Sequence, residues 1–243
     1  MSINANVERA KEDYDRAYAA GAKSEYDAFW DVFQQNGERK DYEAAFHSMG
    51  WTDETFKPKY PIKPVGNKAA TNLFRKAKIT NLSQILREQG VTLDLSGITG
   101  ANSEIFSNAR SITHIPTVDL SNSTGGNHLF AYCDKLVEIE KLVLTENCEG
   151  SQWFPNCDAL EKITVEGVIA FGVSLAQSKK LNKAGITSIV NALSTTTSGL
   201  TVTFSKTAVD TAFATTDGGT DGSTSAEWLA LVATRSNWTI ALA

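Results

Sequence analysis

Hydrophobic residues in the middle of the chain recur at a fixed distance that neither an isolated helix nor an isolated strand explains. Phe106, Phe130 and Phe154 lie 24 residues apart. Each is followed by a small residue, by two aliphatic residues at further steps of three, and by an aliphatic residue that closes the unit. These columns are Ala109, Cys133 and Cys157; Ile112, Leu136 and Leu160; Ile115, Ile139 and Ile163; Leu120, Leu144 and Val168.

A period of this length with leucine-like columns is typical of a leucine-rich-repeat solenoid, in which stacked units bury a shared core. In each unit a turn or short helix carries the phenylalanine, and a strand follows with Ile139 or its equivalent pointing inward. The cysteine column is expected to be a small buried position. A degenerate copy at Leu175, Ser178 and Leu181 ends the repeat. The pattern therefore predicts a solenoid over residues 61–181.

The segment before the repeat has helical spacing. It predicts a helical N-terminal region over residues 1–60, with a helix that ends at Gly21, a second that begins at a capping box of Ser24 and Asp27, and a third over residues 41–49. An aromatic stripe follows the capping box. Its members are Tyr26, Phe29, Trp30 and Phe33, which form either the core of this region or a docking surface.

The segment after the repeat alternates between helical and strand patterns. The helix patterns are "GITSIVNAL", "KTAVDTAF" with a cap at Ser205, and "TSAEWLALVATR" with a capping box of Thr224 and Glu227; the strand patterns are "GLTVTFS" and "NWTIAL". Residues 182–243 are thus predicted to be an α/β cap on the last repeat. The predicted fold class is an α/β (α+β) solenoid: a short leucine-rich-repeat stack with a helical N-terminal region and an α/β C-terminal cap.

Composition and charge exclude several classes of partner. The net charge of −5 argues against a nucleic-acid binder, which needs a basic face. The first residues lack the basic and apolar run of a secretion signal, and no apolar stretch is long enough to span a membrane. Three cysteines are too few for a disulfide scaffold. We therefore expect neither nucleic-acid binding nor membrane insertion.

Motifs for catalysis and for metal binding are missing from the sequence, so we predict a non-enzymatic protein without cofactor or metal. Glu138 and Glu140 have the look of a glycosidase carboxylate pair, but exposed polar residues are the default at such strand positions. The segment "DGGTDGS" (217–223) offers oxygen ligands for calcium, yet lacks the full ligand pattern and is interpreted as a surface loop.

The exposed side of the repeating strands is the predicted ligand-binding surface. His114, Glu138 and Lys162 occupy equivalent positions one repeat apart, and Glu140 and Thr164 lie beside them. Solenoids commonly bind ligands on such a row of strands. The alternative is a solvated ladder in which Glu138 pairs with Lys162 across neighbouring strands.

Beyond the repeat columns, several segments resemble a known family. With its Phe–x–x–Cys–x–x–Leu–x–x–Ile columns the chain resembles the BspA-like class of bacterial leucine-rich repeats. It resembles more closely the repeat proteins encoded by phages and prophages of gut Firmicutes. The segments that carry this resemblance are "YDAFWDVFQQNGERKDYEAAF", "WTDETFKPKYPI", "LFAYCDKLVEIEKLVL", "ALEKITVEGVI", "GITSIVNALSTTTSGLTVTFSKTAVDTAF" and "STSAEWLALVATRSNWTIAL".

The resemblance implies an adhesin or a virion-associated receptor-binding protein that contacts a protein or glycan on the bacterial surface. The N-terminal helices would attach it to a larger assembly. Because BspA-like surface proteins are exported and anchored, and neither signal is found here, the expected location is the virion, or the host cytoplasm before lysis. The alternative is an intracellular protein-interaction factor that acts on a host protein during infection.

Overall fold

The computed structural model describes Glu12, residues 26–214 and residues 221–243. Within these ranges the chain forms five α-helices, eight strands and two short 3₁₀ turns. The helices are α1 (Tyr26–Gln34), α2 (Leu82–Gln89), α3 (Lys183–Ala192), α4 (Lys206–Ala212) and α5 (Ala226–Ala233). The strands are β1 (Gly66–Asn67), β2 (Ile98–Thr99), β3 (His114–Asp119), β4 (Glu138–Leu144), β5 (Lys162–Gly167), β6 (Val173–Leu175), β7 (Leu200–Phe204) and β8 (Trp238–Leu242).

The architecture is a mixed α/β fold with three small parallel sheets, so the predicted leucine-rich-repeat solenoid is wrong. The sheets have the orders β1-β2, β3-β4-β5 and β6-β7-β8. A solenoid would carry one continuous sheet, but here helices close both edges of the central one. Helix α2 packs against β3 and helix α3 packs against β5. Strand β6, predicted to belong to the repeat, pairs instead with β7.

The 24-residue spacing does set the register of the central sheet. Ile115 pairs with Ile139, which pairs with Ile163, and all three side chains are buried. The period fails after Ile163, because the register between β4 and β5 shifts between Ile139 and Leu142. Leu144 therefore pairs with Gly167, and Val168, predicted to close the third unit, is only half-buried.

A column of phenylalanine rings runs through the core beside this sheet. The centroids of Phe106 and Phe130 are 5.7 Å apart, and those of Phe130 and Phe154 are 5.4 Å apart, with nearly parallel planes. The column continues through Phe74, 5.3 Å from Phe106, to Phe46, 5.2 Å from Phe74. Phe74 lies 32 residues before Phe106, and Phe46 lies 28 residues before Phe74. These two rings therefore fall outside the 24-residue period.

Each ring is carried by a segment that we call a turn layer. The five turn layers are residues 42–48, 68–76, 102–108, 126–132 and 150–156. Backbone N–H groups of alternate residues in one layer donate to carbonyls of the next layer. Phe106 N donates to Leu129 O at 2.9 Å, and Phe130 N donates to Trp153 O at 3.0 Å. Left-handed backbone recurs at some of the donors themselves, as at Tyr132 with φ 62°.

In the N-terminal region, one predicted helix is present and another predicted helix is replaced by a turn layer. Helix α1 buries Trp30 and Phe33 completely, so these two members of the aromatic stripe belong to the core. The helix predicted over residues 41–49 is wrong. That segment is the first turn layer, because Phe46 N donates to Leu73 O at 3.0 Å rather than within a helix. The predicted helix before Gly21, the Ser24 cap and the side chains of Asp27, Tyr26 and Phe29 lie outside the described residues.

The C-terminal segments have the predicted elements with one altered cap. Helices α3, α4 and α5 and strands β7 and β8 occupy the five patterned segments. Helix α5 is capped by Ser225, whose Oγ accepts from Trp228 N at 3.1 Å, so the predicted cap at Thr224 is wrong. Ser205 is the N-cap residue of α4, but its side chain makes no cap hydrogen bond. In the part of the chain that is described, no helix is long and apolar enough to cross a membrane.

Candidate functional site

On the predicted strand surface Glu138 and Lys162 bind each other, and His114 Nδ1 lies 2.9 Å from Thr113 Oγ1. His114, Glu138 and Lys162 lie side by side on β3, β4 and β5. Lys162 Nζ donates to Glu138 Oε1 at 2.5 Å, and this bond raises the pKa of Lys162. Because both side chains reach solvent, such a pair contributes little to stability.

Of the other two members of this surface, Glu140 binds a side chain of helix α2, and Thr164 lies at a register shift. Arg87 Nη1, from helix α2, lies 2.6 Å from Glu140 Oε1. Thr164 is exposed and faces the register shift between β4 and β5. The two carboxylates that have the look of a glycosidase pair therefore each hold a separate cation, Lys162 for Glu138 and Arg87 for Glu140.

The cysteine column is part of the core. Cys133 Sγ donates to Phe106 O and Cys157 Sγ to Phe130 O, each at 3.1 Å, and both thiols are free and fully buried. Burial raises the pKa of Cys157 to about 12. These thiols pack as small apolar groups, as the sequence indicates. Within the described ranges, no group of three or more His, Cys, Asp and Glu residues is placed to hold a metal ion.

A cleft opens where the fifth turn layer meets the C-terminal sheet. Its volume is about 550 Å³, within the range of ligand sites. One wall comes from the turn layers and the other from β6 and β7. The lining includes Tyr132, Gln152 and Phe154 on the first wall and Ser174, Thr201 and Thr203 on the second. A second cavity of about 540 Å³ adjoins it and shares Ser151 and Gly172.

Strand alternation places hydroxyl groups on the second wall. Val202 and Phe204 are fully buried, so the intervening Thr201 and Thr203 project to the other face of β7. Thr203 pairs with Ser174 of β6, which is exposed. The wall is therefore a row of neutral hydroxyls over an apolar interior.

The first wall is aromatic and amide-bearing. Tyr132 is 38% exposed, although its neighbours Ala131 and Cys133 are buried. Gln152 adopts left-handed backbone with φ 52°, and its Oε1 lies 2.5 Å from His128 Nε2. Among the described residues that line the cleft, none carries a charged side chain at neutral pH.

The backbone of the fifth turn layer ends the ladder of hydrogen bonds between layers. Asn156 N is bonded to Gln177 Oε1 at 2.6 Å, a side chain that replaces the carbonyl of a further layer. Within the described ranges, the N–H groups of Gln152 and Phe154 make no hydrogen bond. Next to these donors, the ring centroids of Trp153 and Phe171 are 4.6 Å apart. The cleft thus lies on the side of the layer to which these donors point.

This cleft was not predicted from the sequence, although two signals could have indicated it. The alternating threonines of "LTVTFS" mark a strand with a hydroxyl-bearing face. The degenerate copy at Leu175 follows Phe154 after only 21 residues, which indicates that regular stacking stops there. No family model matches the chain, and no match is found among the curated proteins or among the solved structures.

Proposed function

We propose that this chain is a non-enzymatic recognition protein that binds its ligand in the cleft between the fifth turn layer and strands β6 and β7. Its partner would be a protein or glycan on a bacterial surface, and its setting a phage particle, as a virion-associated adhesin or receptor-binding protein. The observation that carries the proposal is the cleft itself: a neutral, open cavity of about 550 Å³ beside unbonded backbone donors.

The lining of the cleft supports recognition. An exposed aromatic ring, hydroxyls and amides hold a ligand through contact area and hydrogen bonds. Tyr132, Gln152 and Thr201 provide one group of each kind. Ligand binding here exchanges water for these groups without moving a proton to or from an acid or a base.

The pairing of charges on the strand surface supports the choice of the cleft over the predicted row of His114, Glu138 and Lys162. A ligand on that row would have to compete with the bond between Lys162 and Glu138 and with the bond between Arg87 and Glu140. In the cleft, by contrast, the hydrogen-bond donors of Gln152 and Phe154 have no protein acceptor to displace among the described residues.

Binding to cells tests the proposal and compares the two surfaces. Fluorescently labelled full-length protein is incubated with cultured gut Firmicutes, and retained fluorescence is measured for the wild type and three variants. Thr201→Trp fills the cleft. Thr239→Trp is its matched control, because Thr239 is exposed and pairs with Thr201 on the neighbouring strand β8 but does not line the cleft. The third variant replaces His114, Glu138 and Lys162 with alanine.

We expect the wild type, Thr239→Trp and the triple variant to bind cells, and Thr201→Trp to lose most of the signal. Loss with the triple variant alone would instead assign recognition to the strand surface. Wild-type protein that binds no cell of the panel would remove the surface-recognition function. Mass spectrometry of purified particles tests the virion setting separately, since a virion protein must be present in them.

A further inference from the structure

We infer that the cleft binds a segment of extended polypeptide, whose backbone carbonyls accept hydrogen bonds from Gln152 N and Phe154 N. This inference rests on the proposed function, because it names the ligand class of the same site. It does not follow from the shape of the cleft alone. The earlier turn layers indicate this ligand class, because their backbone donors bond to backbone carbonyls of a neighbouring segment.

The earlier layers show which acceptor completes the ladder. Glu104, Phe106 and Asn108 donate to the carbonyls of Asn127, Leu129 and Ala131 at 2.9, 2.9 and 2.7 Å. One layer further on, His128, Phe130 and Tyr132 donate to the carbonyls of Ser151, Trp153 and Pro155 at 3.0, 3.0 and 2.7 Å. In both cases the acceptors are backbone carbonyls of alternate residues in a neighbouring segment.

The fifth layer presents the same donors without that segment. Asn156, equivalent to Tyr132, is bonded to the side chain of Gln177. Gln152 and Phe154, equivalent to His128 and Phe130, make no hydrogen bond within the described ranges. An exposed edge of unpaired backbone groups is a template for another chain.

The opposite wall is the hydroxyl-bearing face of β6 and β7. Strand β6 is the edge strand of its sheet and pairs only with β7. Val173 and Ser174 of β6 line the cleft. An extended segment in the cleft would therefore lie between the backbone donors of the fifth layer and the hydroxyl groups of Ser174, Thr201 and Thr203.

A polypeptide fits these walls better than a saccharide. The donors repeat every second residue, which is the repeat of carbonyl groups along one side of an extended polypeptide. The neutral lining selects uncharged side chains, because a charged group would lose hydration there without gaining a counter-charge. The Tyr132 ring, beside Gln152, offers a flat face for an apolar side chain of the ligand.

The experiment uses the full-length protein with two sets of probes. The first is a library of acetylated, amidated hexapeptides on beads, and the second is a panel of neutral oligosaccharides that includes chitotetraose and maltotetraose. We expect selected peptides to be rich in uncharged residues. Their affinity should fall by about tenfold or more with Thr201→Trp and stay unchanged with the control Thr239→Trp, since only the first indole occupies the site.

Amide hydrogen exchange of the wild type provides a second measurement that needs no variant. In the free protein the amides of Gln152 and Phe154 should exchange fast, whereas the bonded amide of Phe130 should be protected. Binding of a selected peptide should slow exchange at Gln152 and Phe154 by about tenfold or more and leave Phe130 unchanged.

Several outcomes would overturn the inference. Binding of oligosaccharides that depends on Thr201, without binding of peptides, would assign the cleft to glycans. Peptide binding that leaves exchange at Gln152 and Phe154 unaltered would place the peptide elsewhere. If cells bind through Thr201 but no peptide does, the ligand class fails while the proposed function survives. If neither cells nor peptides bind, both fail.

Discussion

At the residue scale, Phe130 shows how the 24-residue period contributes to the stability of the core. Its ring has no exposed surface and lies between Phe106 and Phe154 at 5.7 and 5.4 Å. Replacement with alanine leaves a cavity that the two neighbouring rings cannot fill. We expect Phe130→Ala to lower the free energy of unfolding by about 3–5 kcal/mol, measured by urea denaturation.

The matched control for this prediction lies two residues away. Tyr132 belongs to the same turn layer, but its ring is 38% exposed at the mouth of the cleft. Tyr132→Ala should therefore cost less than about 1 kcal/mol. Equal losses for the two variants would show that the ring column does not carry the stability of the core.

Cys157 gives a pH dependence whose sign follows from burial. Its pKa is raised from an ordinary 9.0 to about 12 in the folded protein. Between these values the unfolded chain binds fewer protons than the folded protein, so the free energy of unfolding falls as pH rises. For one such thiol the fall approaches about 1.4 kcal/mol per pH unit.

A serine at this position removes the titration and keeps a hydrogen-bond donor. Ser178 occupies the equivalent place in the degenerate copy, where its Oγ donates to Cys157 O at 3.1 Å. We expect Cys157→Ser to have a shallower loss of stability than the wild type above pH 9, measured by urea denaturation at a series of pH values. Below pH 8 the two slopes should agree, and a common slope above pH 10 would contradict the assignment to this thiol.

At the element scale, two serines at helix starts allow a matched comparison. Ser225 and Ser205 are both buried N-cap residues in extended backbone, but only Ser225 Oγ accepts a backbone hydrogen bond, from Trp228 N. We expect Ser225→Ala to lower the free energy of unfolding by about 1 kcal/mol, and Ser205→Ala to cost clearly less, in thermal or urea denaturation. A larger loss for Ser205→Ala would refute this account of the caps.

The elements also show which part of the fold the sequence could predict. Local signals suffice where one feature decides the outcome: the isoleucine column predicts the pairing of β3, β4 and β5, and alternation predicts β7. They fail where distant segments compete. The segment 41–49 has helical spacing, but its backbone donors, including Phe46 N, bond to the next turn layer.

The fold class failed for a related reason, and the cleft went unpredicted for another. The period describes three strands, and nothing in it indicates that α2 and α3 close the edges of their sheet. The row of His114, Glu138 and Lys162 was predicted because it repeats. The cleft was not, because it forms where repetition stops and where Gln152 meets Thr201, nearly 50 residues later in the chain.

At the scale of the whole molecule, the three predicted regions, 1–60, 61–181 and 182–243, share one hydrophobic core as far as they are described. Buried apolar residues from Trp30 to Trp238 form a single cluster. Phe46 and Phe74 join the N-terminal segment to the ring column, and Trp153 and Phe171 continue the cluster toward the C-terminal sheet. A core without an internal boundary should unfold cooperatively even at this chain length.

A substitution at the centre of the column of phenylalanine rings tests this cooperativity. If the core is continuous, Phe130→Ala should raise hydrogen exchange at both ends of the cluster, in the first turn layer (residues 42–48) and in β7, by the same free energy, since both ends exchange only through the shared opening. Exchange measured by mass spectrometry on peptides from these two segments, at increasing urea, gives the two values. If the chain instead unfolds in independent parts, exchange should rise in the layers next to Phe130 and stay unchanged at one or both ends. That result would divide the core near Phe46 or near Trp153, where ring contacts join the two ends of the cluster to the column.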